Sequence, residues 1–139
     1  MSASFIVDCS LAMTWLFKDE ATAHTNKLLR RLETETALVP ALWHLEVTNV
    51  LAIAERQDRL TPDESDEFIS ELSKLDIETD HEADTRAFDH LLPLCRRHHL
   101  TSYDATYLDL ALRRKLSLAT LDEPLRKAAK KLGVKLLGK

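Results

Sequence analysis

Four acids, Asp8, Glu46, Asp104 and Asp122, stand where a folding chain does not ordinarily leave a carboxylate alone. Asp8 follows the apolar run Phe5-Ile6-Val7, and Asp122 follows the run Leu116–Thr120. Glu46 and Asn49 are the polar residues in a long greasy stretch that includes Leu45, Val47, Val50, Leu51 and Ile53. No Lys or Arg lies one helical turn from Glu46. A buried Glu46 must therefore be neutral, paired from elsewhere or bound to a cation. Asp104 shares a helical face with Tyr107, Leu108 and Ala111, which turns it inward. Brought to one place, four like charges cannot all stay ionised without a counter-charge. Mg²⁺ or Mn²⁺, hard ions that prefer oxygen ligands, answer that need.

Each acid also has a plainer duty available. Glu46 can reach solvent from a rim, Thr101 and Asp104 have the spacing of a capping box, and Asp122 shortly before Pro124 has the form of a helix N-cap. The conjunction of all four, two past strand ends and two on inward helix faces, favours one acidic cleft. Zinc does not fit, because His24, His44, His81 and His90 are scattered and His98-His99 are adjacent rather than one turn apart. There is no Gly-rich phosphate loop and no nucleophile elbow. Phosphotransfer on Asp8 is disfavoured by Ser10, which stands where a second Asp is expected, and by the lack of an acid at the second strand's end. Trp15, Trp43, Tyr103 and Tyr107 read as core rather than as base-stacking surfaces.

The elements that must position these acids alternate. Strands are expected over 4–7, 37–39, near 75–77, 116–120 and 134–137. Helices are expected after Ser10 as cap, over about 20–33 with Ala23, Leu28, Leu29 and Leu32 inward, over 42–56, and from Pro62 with Thr61 as cap and Phe68, Ile69 and Leu72 inward. Further helices are expected over 82–99 with a kink at Pro93, over 103–114 and over 124–132. The apolar composition of the 42–56 segment predicts a helix buried on most sides. This alternation predicts an α/β three-layer sandwich, a central and mostly parallel sheet flanked by helices, with ligands beyond the carboxyl ends of its strands.

With 139 residues, 45% of them hydrophobic, the chain is expected to form a single domain over 1–139 around one core. Two glycines and four prolines leave no linker or repeat visible. The opening residues lack a basic segment followed by an apolar one, and later apolar runs are short, so a cytoplasmic protein without a membrane span is expected. Cys9 and Cys95 lie within apolar patterns and are read as reduced thiols. A net charge of −4 argues against a nucleic-acid partner, yet its distribution does not. Residues 1–95 carry 8 Lys+Arg against 19 Asp+Glu, whereas residues 96–139 carry 11 against 4. The last third is either a polyanion-facing surface or a set of solvated helix faces.

The stretches Val7-Asp8-Cys9-Ser10 with Leu11–Leu16, Glu46–Leu51, Thr101-Ser102-Tyr103-Asp104-Ala105 with Tyr107 and Ala111, and Thr120-Leu121-Asp122 together resemble the VapC-type toxins of the PIN-domain family. The resemblance runs along almost the whole chain. It implies a PIN-like fold, endonucleolytic cleavage of RNA, and Mg²⁺ or Mn²⁺ held by Asp8, Glu46, Asp104 and Asp122. It also implies accessory roles for the Ser10 and Thr120 hydroxyls and for Asn49. The implied chemistry is phosphodiester hydrolysis leaving a 5′-phosphate and a 3′-hydroxyl. A homodimer and a small antitoxin partner follow from the same resemblance, with Leu11–Phe17 as a candidate apolar groove for a partner helix. The chain departs from the pattern at Asp109, which reads as a partner of Arg113 on an exposed face. Alternatives are an RNA-processing PIN nuclease without an antitoxin, and a non-catalytic RNA- or protein-binding module on the same fold.

Overall fold

The computed structural model describes residues 2–139. Five short parallel strands form its sheet: β1 (Phe5–Val7), β2 (Ala37–Pro40), β3 (Ile77–Asp80), β4 (Ser117–Ala119) and β5 (Leu136–Leu137), in the spatial order β3-β2-β1-β4-β5. β1 and β2 are buried throughout, which is why they are continuous apolar runs rather than alternating ones. The helices are α1 (Cys9–Ala12), α2 (Ala23–Arg31), α3 (Leu42–Arg56), α4 (Pro62–Ser73), α5 (Ala83–Arg86), α6 (Leu92–His98), α7 (Ser102–Arg114) and α8 (Glu123–Lys131). Right-handed crossovers place the connections on either side of β1 on opposite faces, giving the expected three layers. None of these helices is long and apolar enough to cross a membrane.

The chain first winds outward from β1 through β2 to β3, then returns to lay β4 on the other side of β1. The order therefore reverses between β1 and β4, and a crevice opens beyond their carboxyl ends. The segments that follow these two strands carry Asp8, Thr120 and Asp122.

Local chemistry explains most boundaries. Thr61 caps α4 in a reciprocal capping box with Glu64, and Pro62 opens the helix, as the spacing predicts. Before Pro93, a π-helical turn over Ala87–Leu91 takes the place of a simple kink, because proline offers no N–H to the carbonyl four residues back. Helix α1 is capped by Asp8, not by Ser10: the Asp8 side chain accepts from the Leu11 N–H while Ser10 lies inside the helix. Just after β5, Gly138 has φ +106°, a backbone region that favours glycine, and a Cβ there would stand 2.5 Å from Leu11 Cδ1, which would have to shift.

Several burial expectations need correction. On the α2 segment Leu28 and Leu32 are buried and Leu29 packs against the core, as expected, but Ala23 is exposed and Thr25 is buried in its stead. Leu11, Trp15 and Phe17 are core residues, so Leu11–Phe17 presents no open groove. Tyr103 is 61% exposed, unlike Trp15, Trp43 and Tyr107. Helix α3 is buried on one side only, through Trp43, Val47, Leu51 and Ala54, while Leu45 is 73% and Ile53 39% exposed. An outer helix has the sheet on one flank, and no other element among the described residues covers Leu45 and Ile53 on the other. Ile69 of α4, expected inward, is exposed beside an apolar groove of about 560 Å³ that runs between α3 and α4.

Asp109 is not on an exposed face. It is buried, accepts two bonds from Arg86 at 2.6 and 2.9 Å, and lies 3.5 Å from Arg113 Nε. Arg113 in turn grips Asp80 at the end of β3 with bonds of 3.0 and 3.1 Å and reaches Glu82 at 2.5 Å. This network ties the edge strand to α7.

Candidate active site

Asp8 is the hub of the crevice. Its Oδ1 accepts from the Ser10 hydroxyl at 2.7 Å and the Leu11 N–H at 3.0 Å, and its Oδ2 accepts from the Thr120 hydroxyl. Thr120 Oγ1 accepts the Asp122 N–H at 3.0 Å, and Ser10 Oγ accepts the Leu121 N–H at 3.1 Å. The two hydroxyls thus clamp the loop after β4 onto the acid after β1. Burial raises the Asp8 carboxyl above the ordinary range, against the bonds from Thr120, Leu11 and Ser10, and the charge of Asp122 adds to the rise. The neighbouring Cys9 thiol is pushed up to about 12 by burial and by the charges of Glu46 and Asp8, which keeps it protonated and inert.

Glu46, in the second turn of α3, is half-buried and accepts a 2.6 Å bond from the Tyr107 hydroxyl of α7. Burial raises its carboxyl, the Tyr107 bond offsets part of that, and Asp8 adds repulsion. Asp104 heads the same helix as Tyr107, one turn earlier on the same face. Its backbone N–H is capped by Thr101, but its carboxylate does not return the bond, in contrast to Glu64 at Thr61. The Asp104 carboxyl is raised to about 7 by burial and by the charges of Asp122, Asp8 and Glu46. Asp122 serves two ends at once: its side chain caps α8 through the Leu125 N–H at 2.9 Å, and its charge bears on both Asp8 and Asp104.

The structure therefore brings Asp8, Glu46 and Asp122 within electrostatic reach of Asp104, with Ser10 and Thr120 bonded to the first of them. It does not bring in Asn49, which is exposed and makes no side-chain hydrogen bond among the described residues. Tyr107, which the helical pattern marks only as core, holds Glu46 in place; the signal available was its position three residues after Asp104. Arg126 was also missed. It donates to the Thr120 carbonyl at 2.7 Å and to the Leu137 carbonyl at 3.0 Å, bracing the β4 loop against β5.

The donor set is all hard oxygen, which matches a divalent cation such as Mg²⁺ or Mn²⁺. Among the described residues, no three acidic, His or Cys side chains stand close enough to share one ion as they are oriented. The Asp8, Glu46 and Asp122 carboxylates are instead turned onto the protein donors named above. The fit is one of donor chemistry and charge.

The family model of the PIN domain matches residues 5–131. This chain belongs to the PIN domain family. PIN domains are typically metal-dependent nucleases. No curated protein matches the chain. Among solved structures, the crystal structure of PAE2754 from Pyrobaculum aerophilum superposes with a TM-score of 0.70 at 24% identity, covering 96% of this chain and 83% of that one. At that identity the likeness is one of fold.

The raised Asp104 in this PIN domain sets a pH dependence. Its folded value of about 7 exceeds the ordinary 3.8, so its contribution to stability is full below about pH 4 and is lost as pH rises to 7. Without divalent ions, wild type should therefore melt lower at pH 7.5 than at pH 5. Asp104→Asn should flatten that decline and melt roughly 3–8 °C higher than wild type at pH 7.5. Parallel pH profiles in calorimetry would show that Asp104 is not the strained group.

Proposed function

We propose that this PIN domain is a metal-dependent endoribonuclease acting as the toxin of a toxin–antitoxin pair. The observation that carries the reading is the convergence of four acids at the reversal of strand order, crowded enough to hold Asp104 near 7. Crowding of this kind costs stability, which a bound cation offsets, and perturbed carboxyls of this kind cluster at functional sites. Asp8, Glu46, Asp104 and Asp122 would hold Mg²⁺ or Mn²⁺, which when bound supplies a water of lowered pKa and a counter-charge for the phosphate. The chain's own part is orientation: Ser10, Thr120 and the Leu11 N–H fix Asp8, and Tyr107 fixes Glu46.

The toxin reading rests on the resemblance of the acid-bearing stretches to VapC-type chains. The uncovered apolar residues Leu45, Ile53 and Ile69 support a protein partner, either a second copy or a small antitoxin. Purified protein should cleave a total-RNA preparation with Mn²⁺ or Mg²⁺ and stop in excess EDTA, and sequencing of the fragments' 5′ ends should show a dominant site. Equal cleavage in excess EDTA would sink the metal assignment, and no cleavage with either ion would sink the nuclease.

A further inference from the structure

Beside the acidic crevice lies its electrostatic opposite. A groove of about 1010 Å³ runs between the end of α6 and the length of α8, lined by Arg97, His98, His99, Lys127, Lys130 and Lys131 among others. One carboxylate lines it, Glu123, and that is engaged by Lys139. Arg97, Lys127, Lys130 and Lys131 are exposed and form no ion pair among the described residues. His98 Nε2 is buried without a hydrogen-bond partner. The concentration of positive charge in the last third of the sequence is thus gathered, in part, onto one concave surface.

The groove is joined to the acids at both walls. Glu123 and Pro124 follow Asp122 directly, so the start of α8 is shared between crevice and groove. On the other wall, His99 takes a left-handed turn, φ 55°, that ends α6 and leads three residues on to the head of α7 and five residues on to Asp104. From that shared rim the lysines descend α8 over its nine residues, about 13 Å.

We propose that this groove holds the phosphate backbone of the RNA strand on which the four acids act, the identity of that strand resting on the nuclease reading above. Unpaired cations following one path suit a polyanion, because each phosphate neutralised releases a condensed counter-ion. A single strand is favoured over a lipid surface because the site is concave and adjoins the acids, and none of the exposed large hydrophobic side chains among the described residues lines it to enter a bilayer. The groove also resolves how a chain of net charge −4 with an acidic cleft takes an anionic substrate: the strand is held by α8 and presented to the acids at its end.

The test compares wild type with Lys127→Gln/Lys130→Gln/Lys131→Gln, and with a control, Lys27→Gln/Arg30→Gln/Arg56→Gln, which removes three exposed charges elsewhere. The groove variant should bind a fluorescent 12-nucleotide oligouridylate in EDTA about 10–100-fold more weakly at low salt, with a salt dependence shallower by about 2 in log–log slope. The control should bind as wild type does. With Mn²⁺, hydrolysis of the small diester bis-p-nitrophenyl phosphate should be equal in all three. Equal oligonucleotide affinity and slope in the groove variant would overturn the proposal, as would an equal loss in the control. So would loss of binding to phosphatidylserine vesicles with RNA binding intact. A groove-dependent salt slope in a wild type that hydrolyses neither diester nor RNA would support the groove while overturning the nuclease reading.

Discussion

Asp8→Asn is expected to reduce RNA cleavage on the order of 10³-fold, beyond the 10–100-fold typical of losing a residue that only orients a ligand. Asp8 is 4% exposed and accepts from three donors, so it joins the strand end, α1 and the β4 loop. Asparagine keeps the shape: its carbonyl can take the Ser10 and Leu11 bonds, and the Thr120 hydroxyl can turn to accept from its amide. What it removes is the charge. Tyr107→Phe gives the comparison, because it frees Glu46 without touching any acid and should cost about 10–100-fold. Single-turnover cleavage beside circular-dichroism melts separates these effects from unfolding. A folded Asp8→Asn protein that cleaves within tenfold of wild type would remove Asp8 from the catalytic set.

Arg113→Met should destabilise the chain by about 3–5 kcal/mol at pH 7, because removing one member of a buried ion network leaves the others uncompensated. Asp80 is 7% exposed. Burial alone would raise its carboxyl, but the bonds from Arg113 and the Glu82 N–H, with the charges of Arg113 and Arg114, hold it below the ordinary value. In wild type Asp80 therefore contributes stability above its unfolded pKa, lost as pH falls through the lowered folded one. Without Arg113 the balance at Asp80 turns toward burial, so the loss should shrink as the pH falls toward 4 and Asp80 takes up a proton. Urea unfolding at pH 7 and pH 4.5 measures both effects. A loss under about 1 kcal/mol at pH 7 would place the network with ordinary surface ion pairs. Because Arg113 and Asp109 sit on α7, which carries Asp104 and Tyr107, cleavage should weaken along with stability.

The amino-acid sequence by itself determined the features whose physics is local. Capping chemistry at Thr61, Pro before a helix, apolar runs ended by an acid, and helical spacing through Tyr107 and Leu108 depend on neighbours a few residues away, and these elements lie where they were read. Because Asp8 and Thr120 directly follow adjacent strands, the placement of acids beyond strand ends was legible too, and Asp122 caps α8 as its context offered, with its charge bearing on Asp8 and Asp104. The local reading erred at Ser10, since either hydroxyl or carboxylate can cap α1 and only the packing of Thr120 onto Asp8 settles which does. Tertiary structure alone decided the long-range meetings: Glu46 with Tyr107 across 61 residues, Asp80 with Arg113 across 33, and Asp109 with Arg86 across 23. Periodicity tells a residue which way it faces but not what it will face, because the crossover connections choose the neighbour. For the same reason the apolar flank of α3 looked buried in sequence and is bare in the fold, and part of the basic last third became a groove only when the end of α6 was set opposite α8.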